Sequence, residues 1–324
     1  MKTKIAIVAP KREKEQSDIG NFTAMMSVNI IKHLEAHPEI EIVKRIPSAS
    51  PEEGQLSTMD LNGATHIFGI VLRFWSYFPD KVLAIKKRIP GELFQFYDTG
   101  KRPGIERYVK NFTLLDWAFD PQRDIHIGWA ANPEVFHINK TKRDETLRIL
   151  IDHPLWAKGE DRTDDISHQC LEFKNNPALL EKINAECGTN FKNVSCRRLV
   201  SGGIEDVTSE KVNGNFNKHC VSQDELAKEY AKAHIFFMSH GESLGMCVLE
   251  AAMSGCMVCS PEGFIKDVVL NFTNHSVFGP KIDWISACKG INPIENRKKV
   301  EHWTWEASVD KIAKALIKFD PTRK

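Results

Sequence analysis

The chain lacks several features that would have narrowed its role. No run of about 18 apolar residues occurs anywhere in the sequence, so no segment reads as a membrane-spanning helix. The apolar stretch at residues 5–9 is too short for the core of a secretory signal. Excess charge of either sign is also missing. Lys plus Arg number 44 against 43 Asp plus Glu, which provides no overall field to draw in nucleic acid or an anionic membrane. No cysteine precedes Cys170, and the eight from there onward have irregular gaps, so reduced, mostly structural thiols are expected rather than a disulfide framework. Cys256 and Cys259 form a lone Cys-x-x-Cys. On a strand their side chains point to opposite faces, and no second pair with matching spacing completes a metal site. There is no Asp-x-Asp motif, internal repeat or low-complexity segment. The expectation is a soluble, cytoplasmic protein without a bound metal.

A chain of 324 residues exceeds the usual size of one domain, and two of about 150 residues are the natural prior. Short apolar strands alternate with amphipathic helices, the pattern of parallel α/β sheets. In the first half the strands are expected at residues 4–8, 39–43, 66–72, 93–97 and 114–118. A helix over 22–34 carries Met25, Val28, Ile31 and Leu34 on one side. The polar stretch at 138–146 marks the best boundary, giving domains of 1–140 and 141–324, with the last helix free to pack back on the first domain. In two Rossmann-like, doubly wound domains the ligand belongs at the carboxyl ends of the strands, in the crevice between the domains.

The most informative segment is 238–258. Residues 235–238 form a short apolar strand, 239–245 a polar turn, and 246–253 a helix closed by Gly255; the next strand begins at Cys256. Unpaired backbone N–H groups near Leu244, Gly245 and Met246 would face a phosphate, and the missing side chain at Gly245 permits close approach. Glu250 lies roughly 6–9 Å further along the helix axis, which suits a ribose held next to a diphosphate. This reads as a sugar-nucleotide site.

The pair Glu242 and Glu250 resembles the E-x7-E signature of retaining glycosyltransferases of the GT-B fold, family 4 in particular. Residues 225–237 are similar to the family's helix and strand leading into that signature, and 147–159 to the strand and phosphate loop that open its second domain. Residues 126–136 resemble its interdomain stretch ending in Phe136, and 303–312 its closing Trp-containing helix. Order and spacing agree over about residues 126–317. The resemblance implies that Glu242 lies beside the transferred sugar and Glu250 on the ribose. It also implies that Ser243, Leu244, Gly245 and Met246 line the donor diphosphate, with Lys158 supplying a cation there. The bland alternatives are a solvated turn carboxylate for Glu242 and a helix-face partner for Glu250, whose i+4 residue, Ser254, carries no charge.

The chain also departs from the family. His153 stands where an arginine is usual and cannot make a bidentate phosphate contact. Either another cation replaces it, with Arg197, Arg198 and Lys266 as candidates, or His153 is a capping side chain beside Pro154. Gly20 is a single glycine in the first loop where a pair is common. Tyr97 takes the place of a histidine, leaving Asp98 as a candidate for touching donor or acceptor. The aromatic cluster at 73–78 favours core over sugar stacking. Glu262 and Gly263 resemble a later family loop only in part.

The resemblance implies a glycosyltransferase that moves a monosaccharide from a nucleoside diphosphate sugar, a UDP-sugar being the expected donor, with retention and without cofactor or metal. The acceptor is open among glycan, small molecule, protein and DNA carrying a hydroxylated base. Alternatives are a nucleotide-sugar epimerase or phosphorylase of the same fold, or a catalytically degenerate nucleotide-sugar-binding module. The presence of both Glu242 and Glu250 argues against the last.

Overall fold

The structure, a computed structural model, describes all residues except 10–21, 48–58, 73, 78, 97–104, 106–107, 114–123, 129, 139–144, 153–160, 201–202, 209–221, 242–244, 265–274 and 324. Two compact units result, one of Met1–Ala130 with Trp305–Lys324, the other of Ala131–Thr304.

The first unit comprises β1 (Thr3–Ala9), α1 (Phe22–Ala36), β2 (Ile40–Pro47), β3 (His66–Leu72), α2 (Pro79–Lys86), β4 (Leu93–Phe96), β5 (Val109–Thr113) and β6 (Asp124–His126). Its sheet has the order β2-β1-β3-β4-β5-β6 and every pairing is parallel. Ile5 to Val8 are fully buried, as an apolar run in a sheet covered on both faces requires. Phe94 and Phe112 stack with centroids 5.2 Å apart. The register aligns Gln95, Asn111 and Asp124 on adjacent strands. Their buried side chains form a ladder, Gln95 Nε2 donating to Asn111 Oδ1 at 3.0 Å and Asn111 Nδ2 to Asp124 Oδ1 at 3.1 Å.

Phe74 and Trp75 are core residues. The Trp75 indole donates to the Phe94 carbonyl at 2.9 Å. The closing helix, Trp305–Lys318, buries Val309, Ile312, Ala313 and Leu316, the one-sided spacing of an amphipathic helix. It is anchored by Ser308 Oγ and Lys311 Nζ, both donating to the Ile127 carbonyl. The strand expected at 114–118 lies outside the described residues. β5 and β6 were not anticipated: β5 carries polar Lys110 and Asn111 between its apolar residues, and Asn111 earns burial only through its ladder partners.

The second unit comprises β7 (Thr146–Ile151), α3 (Thr163–Lys174), α4 (Pro177–Cys187), β8 (Asn193–Val200), β9 (Gly203–Asp206), α5 (Gln223–Lys232), β10 (Ile235–Phe237), α6 (Met246–Met253), β11 (Met257–Pro261), β12 (His275–Phe278), α7 (Trp284–Lys289) and α8 (Pro293–Val300). Local sequence explains many of the ends. Ser222 and Glu225 form a capping box at the start of α5. Asn176 and Asn292 cap α4 and α8 just before a proline, and Gly188 ends α4 in the left-handed region. The sheet order is β12-β11-β10-β7-β8-β9, parallel except for the β8–β9 hairpin. Counted within the unit this is the doubly wound order 3-2-1-4-5-6, and the strand order reverses between the parallel neighbours β7 and β10.

All the described cysteines are free thiols. Cys259 joins the core on the side of Trp284 and Cys288, whereas the Cys256 thiol contacts carbonyls of Tyr230 and Ala233, so the Cys-x-x-Cys pair serves two different surroundings.

Candidate functional site

The carboxyl ends of β7 and β10 are held together tightly. The Asp152 N–H donates to the Phe237 carbonyl at 2.8 Å, and Ser239 Oγ donates to the Asp152 carbonyl at 2.8 Å. Thr163, at the start of α3, donates to Ser239 Oγ at 2.7 Å, and the Arg162 N–H donates to the Ser239 carbonyl at 2.8 Å. His240 pairs with Asp161 in an isolated bridge. These bonds fix two strand-to-helix turns side by side at the point where the sheet order reverses.

From the second turn rises α6. Its N-cap, Gly245, has φ 54° and ψ 40°, a conformation that a side chain rarely tolerates, and no side chain among the described residues caps the helix. The first N–H groups therefore keep their capacity to bind an anion. At the other end Gly255 has φ +87°, and a Cβ there would meet Pro293 at 2.8 Å, so only glycine allows α8 to pack this closely. Arg297 of α8 donates to the carbonyls of Met253 and Phe136, both at 2.8 Å, satisfying the carboxyl end of α6 and tying it to the segment around Asn132. The residues resembling the family's interdomain stretch thus hold the site helix from behind.

One turn into α6, Glu250 is buried. Loss of water, and secondarily the charge of Asp152, push its carboxyl up to about 8. Asp152 is itself buried. Its Oδ2 lies 3.7 Å from His240 Nδ1 and 3.6 Å from the Cys247 thiol. Behind them, on α5, the Tyr230 hydroxyl is fully buried. Burial raises its pKa well above the ordinary value, and the neighbouring charges of Cys247, Glu250 and Asp152 add to the effect.

Of the residues singled out from sequence, Gly245, Met246 and Glu250 come together here. Gly20, Asp98, His153, Lys158, Glu242, Ser243 and Leu244 lie outside the described residues, as does Lys266. Arg197 and Arg198, weighed as replacement cations, already face carboxylates. Arg198 is buried and forks onto Glu205 at 2.8 and 2.7 Å, with Asp164 at 3.6 Å. Arg197 pairs with Glu229 and with Asp206. Sequence reading missed Asp152, His240, Cys247 and Tyr230. Asp152 and His240 sat in the right loops but had no spacing signal of their own; Tyr230 sat on a helix, where a tyrosine reads as core. A separate cavity of about 390 Å³ between residues 134–137 and α5 is lined by residues including Glu134, His137, Asp224 and Lys228, none of them from this cluster.

No family model matches the chain, and no curated protein sequence matches it significantly. Solved structures do. A sucrose-phosphate synthase from Thermosynechococcus elongatus is 11% identical, with 98% of this chain and 99% of that one covered and a TM-score of 0.58. A glycosyltransferase involved in avilamycin A biosynthesis is 12% identical over 98% of this chain and 97% of its own, with a TM-score of 0.57. A lipopolysaccharide outer core galactosyltransferase gives 12%, 97%, 99% and 0.57 in the same order. The fold is that of GT-B glycosyltransferases. In this GT-B chain the Glu250 cluster occupies the strand-end position at which doubly wound sheets take their ligands.

Proposed function

We propose that this chain is a glycosyltransferase that moves a monosaccharide from a nucleoside diphosphate sugar to an acceptor with retention of anomeric configuration. The observation that carries the reading is the uncapped start of α6 beside a buried Glu250, both at the reversal point of the second sheet. An uncapped helix start suits a diphosphate, and a carboxyl one turn further suits the two hydroxyls of the adjoining ribose. The resemblance to family 4 adds Lys158 and His153 at the diphosphate, Ser243 and Leu244 beside it, and Glu242 at the transferred sugar. Gly20 and Asp98 are proposed as further donor or acceptor contacts. A UDP-sugar is the proposed donor.

In the proposed reaction the acceptor hydroxyl attacks the anomeric carbon on the face the diphosphate leaves. The carbon–phosphate oxygen bond breaks, the new glycosidic bond forms on that same face, and the hydroxyl proton passes to the departing phosphate oxygen. The protein contributes positioning and stabilisation of the charge on the leaving diphosphate. In the unliganded protein near pH 7 Glu250 is largely a neutral acid, and ribose hydroxyls that donate to it favour its carboxylate form. Thermal unfolding in the presence of UDP-, GDP-, ADP- and CMP-sugars tests the reading. Stabilisation by one class followed by transfer to a glycan or small-molecule acceptor is expected; stabilisation by none would sink it.

A further inference from the structure

The cluster behind α6 is incomplete in a specific way. The Tyr230 hydroxyl is fully buried and, among the described residues, has no hydrogen-bond partner. Burial and the Asp152 charge act on the Glu250 carboxyl, but no hydrogen bond from a described residue does. Tyr230 is on α5 and Glu250 on α6, helices that pack directly against each other. Their packing is pinned because Cys256, just beyond α6, donates its thiol to the Tyr230 carbonyl at 3.1 Å. The Tyr230 ring is wedged between Phe136 and Phe236, at centroid distances of 6.0 and 5.3 Å, so the phenol cannot swing out to find water. A buried polar group without a partner costs about 1–3 kcal/mol, and an orphan hydroxyl in the field of the Glu250 carboxyl marks an arrangement that another state completes.

We propose that Tyr230 is a positioning residue for Glu250, its hydroxyl donating a hydrogen bond to the Glu250 carboxylate in the nucleotide-bound state. This rests on the assignment of the α6 site to a nucleoside diphosphate. In the unliganded protein Glu250 holds a proton because it is buried beside Asp152. When hydroxyls of the ligand and the Tyr230 O–H both donate to it, the carboxylate is stabilised and the proton leaves to solvent. Besides Glu250, the titratable groups whose charge acts on the Tyr230 hydroxyl are Cys247, Asp152 and Cys256; His240 faces Asp152, and Arg297 of α8 lies at the far end of α6. Arg297 is committed to the Met253 and Phe136 carbonyls. The Cys256 thiol is committed to the Tyr230 and Ala233 carbonyls. Tyr230 is therefore the neutral donor placed to serve the carboxylate.

The test is calorimetric titration with UDP, then GDP and ADP, at pH 7 in two buffers of different ionisation enthalpy, so that affinity and protons released are both read. The wild type should release a substantial fraction of one proton on binding. Tyr230→Phe keeps the ring and removes only the hydroxyl; it should bind about 10-fold more weakly and release fewer protons, with a melting temperature close to the wild type. In a Glu250→Gln background proton release should vanish, and adding Tyr230→Phe should cost less than about 2-fold in affinity, the behaviour of two residues acting as a unit. Wild-type affinity and proton release in Tyr230→Phe would overturn the proposal while leaving the site assignment standing, as would an equal loss in both backgrounds. A wild-type protein that binds none of the three nucleotides would overturn the site assignment, and this proposal with it.

Discussion

His66 in the first unit and Glu250 in the second are both buried titratable groups that favour their neutral forms, yet their surroundings could hardly differ more. His66 is fully buried and both ring nitrogens are engaged: the Glu92 N–H donates to Nδ1 at 2.7 Å, and Nε2 donates to the Leu316 carbonyl at 3.0 Å. The neighbouring bonds thus decide the tautomer, and burial lowers the pKa despite the opposing pull of Asp320. Glu250 is pushed up to about 8 by the same loss of water, but without a single hydrogen bond from a described residue to compensate. Satisfied on every side, His66 fastens the closing helix to its sheet. Glu250 is left poised for a partner. Burial alone does not separate structural from functional polar groups; the bonding inventory does.

The largest effect should come from the structural member of the pair. His66→Leu strands the Glu92 N–H and the Leu316 carbonyl and should lower unfolding stability by about 3 kcal/mol in a denaturant titration. Since the folded-state pKa of His66 lies below its ordinary 6.5, its contribution is present above pH 6.5 and is lost as pH falls below that value. The variant should lose part of this acid-side dependence. A His66→Leu protein as stable as the wild type would erase the contrast.

On the site side, Glu242→Gln should cut transfer by ~100-fold with the melting temperature unchanged. Full turnover in that variant would remove Glu242 from the site. Lys158→Ala should lower transfer by about 10–100-fold at pH 8, through loss of a charge-assisted contact, and far more than His153→Ala does. Equal and negligible losses in both would mean that the loop does not hold the diphosphate.

Glu250→Ala should weaken nucleotide binding by about 1.5–3 kcal/mol. The same carboxyl gives the stability comparison its sharpest form. With a folded-state value of about 8 against an ordinary 4.5, its contribution is complete below pH 4.5 and is lost as pH rises towards 8. Glu250→Gln should therefore gain stability relative to the wild type across that interval, and parallel pH profiles for the two proteins would contradict a buried, unsatisfied acid. The smallest expected effect is none: EDTA should leave transfer intact. Complete loss restored by Mg²⁺ or Mn²⁺ would show that the site needs a metal.

Much of this was legible in the residues. Alternating apolar strands and amphipathic helices announced two parallel α/β units, and Gly245, Gly255 and the apolar run between them delimited α6 to the residue. The caps Ser222, Asn176 and Asn292, which the sequence reading did not single out, are equally local, each accepting a bond from a backbone N–H three residues on. Such features are local, so periodicity and spacing suffice to read them. β5 and β6 escaped because their polar residues are tolerated only through cross-strand ladder bonds.

The sequence by itself determined the fold class and the helix that carries Glu250. Only the tertiary structure decided that Arg197 and Arg198 answer carboxylates within their own unit, that Asp152 lies beside His240, and that Tyr230 ends in the field of Glu250. Asp152 and Cys247 are 95 positions apart in the chain, and no local pattern encodes their meeting at 3.6 Å. Whether a carboxyl is charged depends on the water and charges that surround it, and for Glu250 those are set by burial and by Asp152, which folding brings in from a distant part of the chain.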